Sequence, residues 1–135
     1  MAKQEKANDT SAAAVSSAAL IKSRALACEI ARWADGRNCD DIVIMELAER
    51  SPVANHFVIC TGTSAQQMRA VAREIEGLGK ELGSRVYSRA GLQQGRWAII
   101  DFFDVVVHLF EKEYRNFYDL EMLWGDAPKI DWQVE

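Results

Sequence analysis

Cysteine is scarce in this sequence and shows no pairing pattern. Cys28, Cys39 and Cys60 are odd in number and widely spaced, with no C-x-x-C pair, so neither a disulfide framework nor a cysteine zinc site is indicated. Free thiols fit a reducing compartment, and a cytoplasmic protein is expected. Histidine is rarer still, with two in the chain, and nothing clusters at metal-ligand spacing, so the reading assigns no metal and no cofactor. No apolar run is long enough to cross a membrane. An excess of positive charge is also missing. The formal net charge is −4, which argues against a general basic surface for nucleic acid and permits a basic protein as partner. Little direct nucleic-acid binding is therefore expected.

What remains is an ordinary globular composition, 49% hydrophobic over 135 residues. That is enough for one compact domain whose core needs no covalent staples. Residues 1–17 are rich in Ala and Ser but carry Glu5 and Asp9. They lack the apolar centre of a secretory signal and the arginines of a transit peptide. They are read as a disordered tail preceding a single domain over residues 18–135.

Periodicity orders that domain. Residues 18–35 read as a helix with Leu26, Ile30 and Trp33 on one face, stopped by Gly36 and Asn38. DIVIMEL (41–47) is a strand, broken by Ser51-Pro52 because the residue before a proline avoids helical geometry. NHFVICT (55–61) is a nearly continuous apolar strand, as burial on both faces requires. Ser64 and Gln67 make a capping-box pattern. It opens a helix whose apolar stripe is Met68, Val71, Ala72, Ile75, Leu78 and Leu82, weakened by Gly77 and Gly79 at about 1 kcal/mol each. Then come RVYSR (85–89), RWAIIDF (96–102) and DVVVHLF (104–110), the last two close enough for an antiparallel hairpin. Residues 111–124 are mostly helical, stopped by Gly125 and Pro128. The expected fold is α/β, a mixed β-sheet flanked by helices.

Catalytic patterns are weak. Thr61-Gly62-Thr63-Ser64 joins strand to helix, where backbone N–H groups can hold phosphate, but it has neither the lysine nor the glycine spacing of a P-loop. Asp101 and Asp104 are three apart across a turn, whereas a metal pair on one strand needs a spacing of two. Cys60 reads as a core residue. His108 lies within an apolar strand, and a packed or interface histidine suits that setting better than a general base.

Binding is better marked. Along RWAIIDF, Ala98, Ile100 and Phe102 form a natural core face, and Trp97, Ile99 and Asp101 form the other. An aromatic beside a carboxylate is an interface pattern. The same pattern is compatible with a core Trp97 if helices cover both faces. Nearby carboxylates, from Asp101 to Glu121, can steer a basic partner or form a solvated helix face.

Three segments, NHFVICTGTSAQQMRA (55–70), RWAIIDFFDVVVHLF (96–110) and YDLEMLWGDAP (118–128), resemble the Iojap-like ribosomal silencing factors in order and spacing, across residues 20–131. The resemblance implies a nucleotidyltransferase-like fold without catalytic residues. It implies binding to the large ribosomal subunit through its protein number fourteen, steric blocking of subunit joining, and frequent homodimers when free. The contact surface expected on this basis comprises Trp97, Asp101, Asp104 and His108, with Tyr114 and Tyr118 beside it. The alternative is a surviving nucleotidyltransferase-like enzyme with a nucleotide and metal site built on Ser64, Asp101 and Asp104. Two departures from the family pattern stand out. Asn55-His56 replaces Asp-Tyr, with an expected effect on surface polarity. Phe103 replaces a turn glycine, which bears on how tight that turn can be.

Overall fold

Strands that are apolar at every position have to lie inside a sheet, and two such strands form its centre. The computed structural model describes the backbone of residues 2–133 and the side chains of residues 17–133. In it β2 (His56–Thr61) and β5 (Val105–Phe110) are buried throughout. They pair in parallel, His56 opposite Val105 through to Thr61 opposite Phe110. Antiparallel strands extend the sheet on both sides. β1 (Asp40–Glu46) pairs with β2, and β6 (Lys129–Ile130) pairs with β1. On the other side β4 (Trp97–Asp101) pairs with β5, and β3 (Ser88–Ala90) forms the edge. The six-stranded order is β3-β4-β5-β2-β1-β6. This is the mixed α/β sheet that the strand pattern predicts.

Side-chain alternation divides the core into two layers. Val58, Cys60, Val105, Val107, Leu109, Ala98 and Ile100 meet α1 (Ala2–Gly36) and α2 (Ala65–Glu81) on one face. Phe57, Ile59, Val106, Phe110 and Met45 form the other. From α1 the buried contacts are Leu26, Ala27, Ile30, Ala31 and Ala34. Trp33, expected with them, sits at the helix edge, where its indole donates to Glu74 Oε1 of α2 at 2.9 Å. Where the sequence predicts a tail over residues 1–17, the backbone from Ala2 onward is part of α1, and the side chains up to residue 16 lie outside the described ones.

The capping box at α2 forms with a shift of one residue. Gln67 N donates to Ser64 Oγ at 3.0 Å, but the returning Gln67 Oε1 accepts from Thr63 N at 3.0 Å rather than from Ser64. The two helix glycines differ in purpose. A Cβ on Gly79 would lie 2.4 Å from Phe102 Cε1, whereas one on Gly77 would meet nothing within 4 Å. Gly79 is what lets α2 rest on the β4 end of the sheet.

Several local expectations change. The β4–β5 hairpin keeps a tight turn despite its phenylalanine: Phe103 adopts φ 80°, and Phe102 N donates to Val105 O at 2.8 Å. Only the first of the two central residues has positive φ, as in a type II′ turn, where glycine is the usual choice. A bulky residue there costs about 1–2 kcal/mol. His56, expected to alter the surface, is fully buried, its Nδ1 2.8 Å from Ser23 Oγ of α1. The C-terminal helix is two short pieces, α3 (Lys112–Tyr118) and α4 (Leu120–Leu123), separated by Asp119 at φ 45°. β6 is only two residues long, too short to leave a periodic signal; Trp132 beside it donates to Ile42 O at 3.1 Å.

Replacing the two glycines by alanine is expected to move stability in opposite directions. Gly77→Ala should stabilise by about 0.5–1 kcal/mol, and Gly79→Ala should destabilise by about 1–3 kcal/mol through overpacking. Urea denaturation of the two variants measures both signs.

Candidate functional site

The second face of the sheet is covered by short elements, and that leaves an aromatic cluster at its margin. Trp97 starts β4 and is half-buried. Its ring stacks on Phe110 at 4.8 Å between centroids and lies 5.1 Å from Tyr118 of α3. Its indole N–H donates to His108 Nδ1 at 3.1 Å. Tyr114 and Tyr118 are 5.6 Å apart on α3, and Phe117 is edge-on to Tyr118 at 5.1 Å. Arg96 lies over the Tyr114 ring at 5.3 Å and donates to its hydroxyl at 3.3 Å. Glu113, Tyr114, Phe117 and Tyr118 line a cavity of about 370 Å³.

Of the six residues expected at a contact surface, Trp97, His108, Tyr114 and Tyr118 therefore come together. Asp101 and Asp104 do not join them. Asp101 shares the Trp97 face but lies four residues along β4, roughly 13 Å away for an extended strand. Its Oδ1 accepts from Phe103 N at 2.7 Å, closing the hairpin. Asp104 presents an exposed side chain, while its carbonyl accepts from Asn55 N and His56 N at 2.8 and 3.1 Å. Both carboxylates thus sit at the hairpin end. His108 is buried, so it acts on this surface by orienting the Trp97 indole.

Three neighbours are more exposed than any sequence pattern indicated. Phe117 is 80%, Met122 76% and Leu123 72% exposed, with Tyr118 at 48%. All three fall in the segment 111–124 that the sequence predicts as mostly helical. The break at Asp119 turns them outward. The available signal was composition: FYDLEML holds more apolar residues than one side of so short a helix can bury. What fixes the break is Arg115, which is buried and donates to Thr61 Oγ1 and Glu121 Oε1, both at 2.9 Å. Exposed Glu113 and Asp119 add negative charge beside this apolar margin.

The strand-to-helix turn after β2 spends its donors internally. Gly62 N goes to Phe110 O at 2.8 Å, Thr63 N to Gln67 Oε1 and Gln67 N to Ser64 Oγ. A phosphate there would have to displace them. Among the described residues no three His, Cys, Asp or Glu side chains are grouped to hold a metal ion. Cys28, Cys39 and Cys60 are free thiols, and burial pushes the Cys60 thiol far above its usual range. No described helix is long and apolar enough to cross a membrane.

Burial also dominates both histidines. Because His108 Nδ1 accepts from Trp97, the neutral ring carries its proton on Nε2, which finds no partner. Desolvation pushes its pKa down to about 4. His56 is lowered by burial too, against the opposing pull of Glu46, whose Oε1 is 3.6 Å from His56 Nε2. Both groups bind protons more readily in the unfolded chain, so their stabilising contribution is complete above about pH 6.5. For His108 it is lost as pH falls from there toward 4, a loss on the order of 3 kcal/mol, and His56 contributes in the same direction. His108→Gln keeps an acceptor for the indole while removing the titration. Its melting temperature should fall less steeply than wild type between pH 6.5 and 4, and parallel profiles would refute this account.

Comparison with known proteins points one way. A family model described as ribosomal silencing factor during starvation matches residues 20–135. The ribosomal silencing factor RsfS of Bacillus subtilis is 41% identical over 112 residues, covering 83% of this chain and 90% of that protein. The chloroplastic protein Iojap of Arabidopsis thaliana is 30% identical over 114 residues, which is 84% of this chain and 48% of that one. Among solved structures, one from Chromobacterium violaceum superposes with a TM-score of 0.73 at 26% identity, covering 84% of this chain and 93% of that chain. Another, from Bacillus halodurans, gives 0.65 at 34% identity, with 76% and 94% covered.

Proposed function

This chain belongs to the ribosomal silencing factor family, and on that premise we propose that it binds the large ribosomal subunit through its protein number fourteen and sterically keeps the small subunit from joining. The observation that carries the reading is the apolar margin of the second sheet face. Trp97, Tyr118, Phe117, Met122 and Leu123 make an aromatic and aliphatic surface, part of it strongly exposed. Large exposed apolar patches of this kind mark protein–protein contacts. Aromatic side chains seated in a packed setting supply most of the binding energy at such contacts. Trp97 is the anchor in this scheme. His108 holds the indole through its N–H and fixes the ring plane without touching the partner. The neighbouring Glu113 and Asp119 speed encounter with a basic partner.

The role is steric and non-catalytic. Supporting this, the donors of the Thr61–Ser64 turn and the Asp101 carboxylate are already engaged in holding local structure. An enzyme of the nucleotidyltransferase kind would instead need them for ligand. Thermal melting with magnesium and nucleotide triphosphate at saturating concentration should give no shift; a clear upward shift would favour the enzyme.

Docking itself is tested by co-sedimentation with purified large subunits. Phe117→Asp changes an exposed side chain, so it should leave the melting temperature unchanged yet reduce binding by at least about tenfold, the minimum for a residue of hot-spot rank. Trp97→Ala should weaken binding at least as much. Wild-type affinity in both variants would remove this surface from the interface. Light scattering of mixed subunits then reads the block directly: saturating protein should prevent the rise that marks joining.

A further inference from the structure

The edge of the sheet opposite β6 carries charge of the other sign. Between Arg69 and Arg96 there are six basic residues and three acidic ones, whereas residues 97–135 hold nine acidic and three basic. The fold gathers the first five of these basic residues on one surface, while Arg96 lies over Tyr114 at the apolar margin. Along α2, Arg69, Arg73, Glu76 and Lys80 recur at spacings of four, three and four, which makes one exposed stripe about 16 Å long. Beside it runs the outer edge of β3, exposed at every residue. Between them lies a cavity of about 450 Å³ lined by Glu76, Gly77, Lys80, Arg85, Val86 and Arg89. A second cavity of about 240 Å³ continues from Arg89 past Gly91 to Gln94. The two form one polar track along the sheet edge.

The residues in it and along the adjoining α2 stripe are organised. Glu76 takes the Arg89 guanidinium, accepting from Nε at 3.2 Å with both carboxylate oxygens. Arg69 donates to Gln93 O at 3.3 Å and ties the far loop to the helix. Lys80, Arg85 and Arg73 are exposed and engage no carboxylate among the described residues. Glu81, exposed at the end of α2, is the nearby acid outside the pair. Just before β3, two exposed aromatics meet edge-on: Tyr87, between Arg85 and Arg89 in sequence, and Phe103, whose rings are 5.7 Å apart at 74°. Phe103 is held outward there by its positive φ.

We infer that this track binds the sugar-phosphate backbone of single-stranded RNA, with Tyr87 and Phe103 as a platform for a base. A basic groove that follows a backbone, with aromatics on which bases stack, is the recognition mode of single-strand binders. The net charge of −4 does not oppose it, because basic residues outnumber acidic ones six to three between Arg69 and Arg96, and screening confines the field of more distant carboxylates to about 8–10 Å. The choice of RNA as occupant rests on the ribosomal reading, since a surface of that particle is rich in RNA phosphates. The track itself is separate from the apolar margin proposed to meet protein.

The test uses the full chain and a fluorescein-labelled twelve-nucleotide polyuridylate, followed by anisotropy across a salt series. Three free cations meeting phosphate predict a log–log salt slope near −2, at about −0.7 per contact. Lys80→Ala with Arg85→Ala should lower affinity at least tenfold and bring the slope to about −0.7. Tyr87→Ala should weaken binding with no change of slope. Failure of the wild type to bind at low salt, or full affinity in the double variant with its melting temperature intact, overturns the proposal. An excess of inorganic phosphate that displaces the oligonucleotide completely at equal charge concentration would also overturn it, since the site would then be a simple anion site. Large-subunit co-sedimentation of Phe117→Asp separates the two readings. A wild type that co-sediments without binding the oligonucleotide removes the track alone, and in Phe117→Asp docking lost with oligonucleotide binding intact is the result expected of two independent surfaces.

Discussion

The parallel pairing of β2 with β5 is the contact on which everything else in this molecule is assembled. Neither strand has a polar face, so neither tolerates an edge, and each must be flanked on both sides. β1 and β4 supply the flanks, which leaves the short β3 and β6 as edges. Because every position in the central pair is buried, both faces of the sheet need cover. One face receives two long helices. The other receives what remains of the chain.

That inequality produces the functional surface. α1 and α2 seal their side with small and branched residues and, at Gly79, with no side chain at all. On the opposite side, α3 and α4 are held by a few ties, chiefly Arg115 reaching Thr61 and Glu121. They cover the centre of the sheet but leave its margin aromatic and open. Apolar residues left outside a core are a cost in an isolated molecule and a resource for a partner. Exposed Glu113 and Asp119 lie beside that margin and basic residues line the β3 edge, so one small domain presents two chemically distinct surfaces.

The buried polar groups show how closely the surface depends on the interior. His108 is a strand residue with one ring nitrogen satisfied and the other not, and its satisfied nitrogen is what orients Trp97. His56 plays a comparable part on the helical side, joining β2 to Ser23 of α1. Both are neutral where the fold is most stable, and in both the cause is removal from water.

Much of the architecture was legible because it follows from local patterns. Continuous apolar runs identified β2 and β5, alternation separated Ala98 and Ile100 from Trp97, and the Ser64–Gln67 pair marked the start of α2. Three segments of sequence were specific enough to indicate the family. What tertiary structure alone decided is where each margin lies. Whether Trp97 is core or surface depends on how much of the sheet α3 covers, and that depends on a break at Asp119 fixed by Arg115 from 54 residues beyond Thr61. Whether His56 meets water depends on α1 arriving over it. The pairing of Tyr87 with Phe103 and the gathering of Arg85 with Lys80 require β3 to lie beside α2. Periodicity reports which side of its own element a residue occupies; only packing determines what stands on that side.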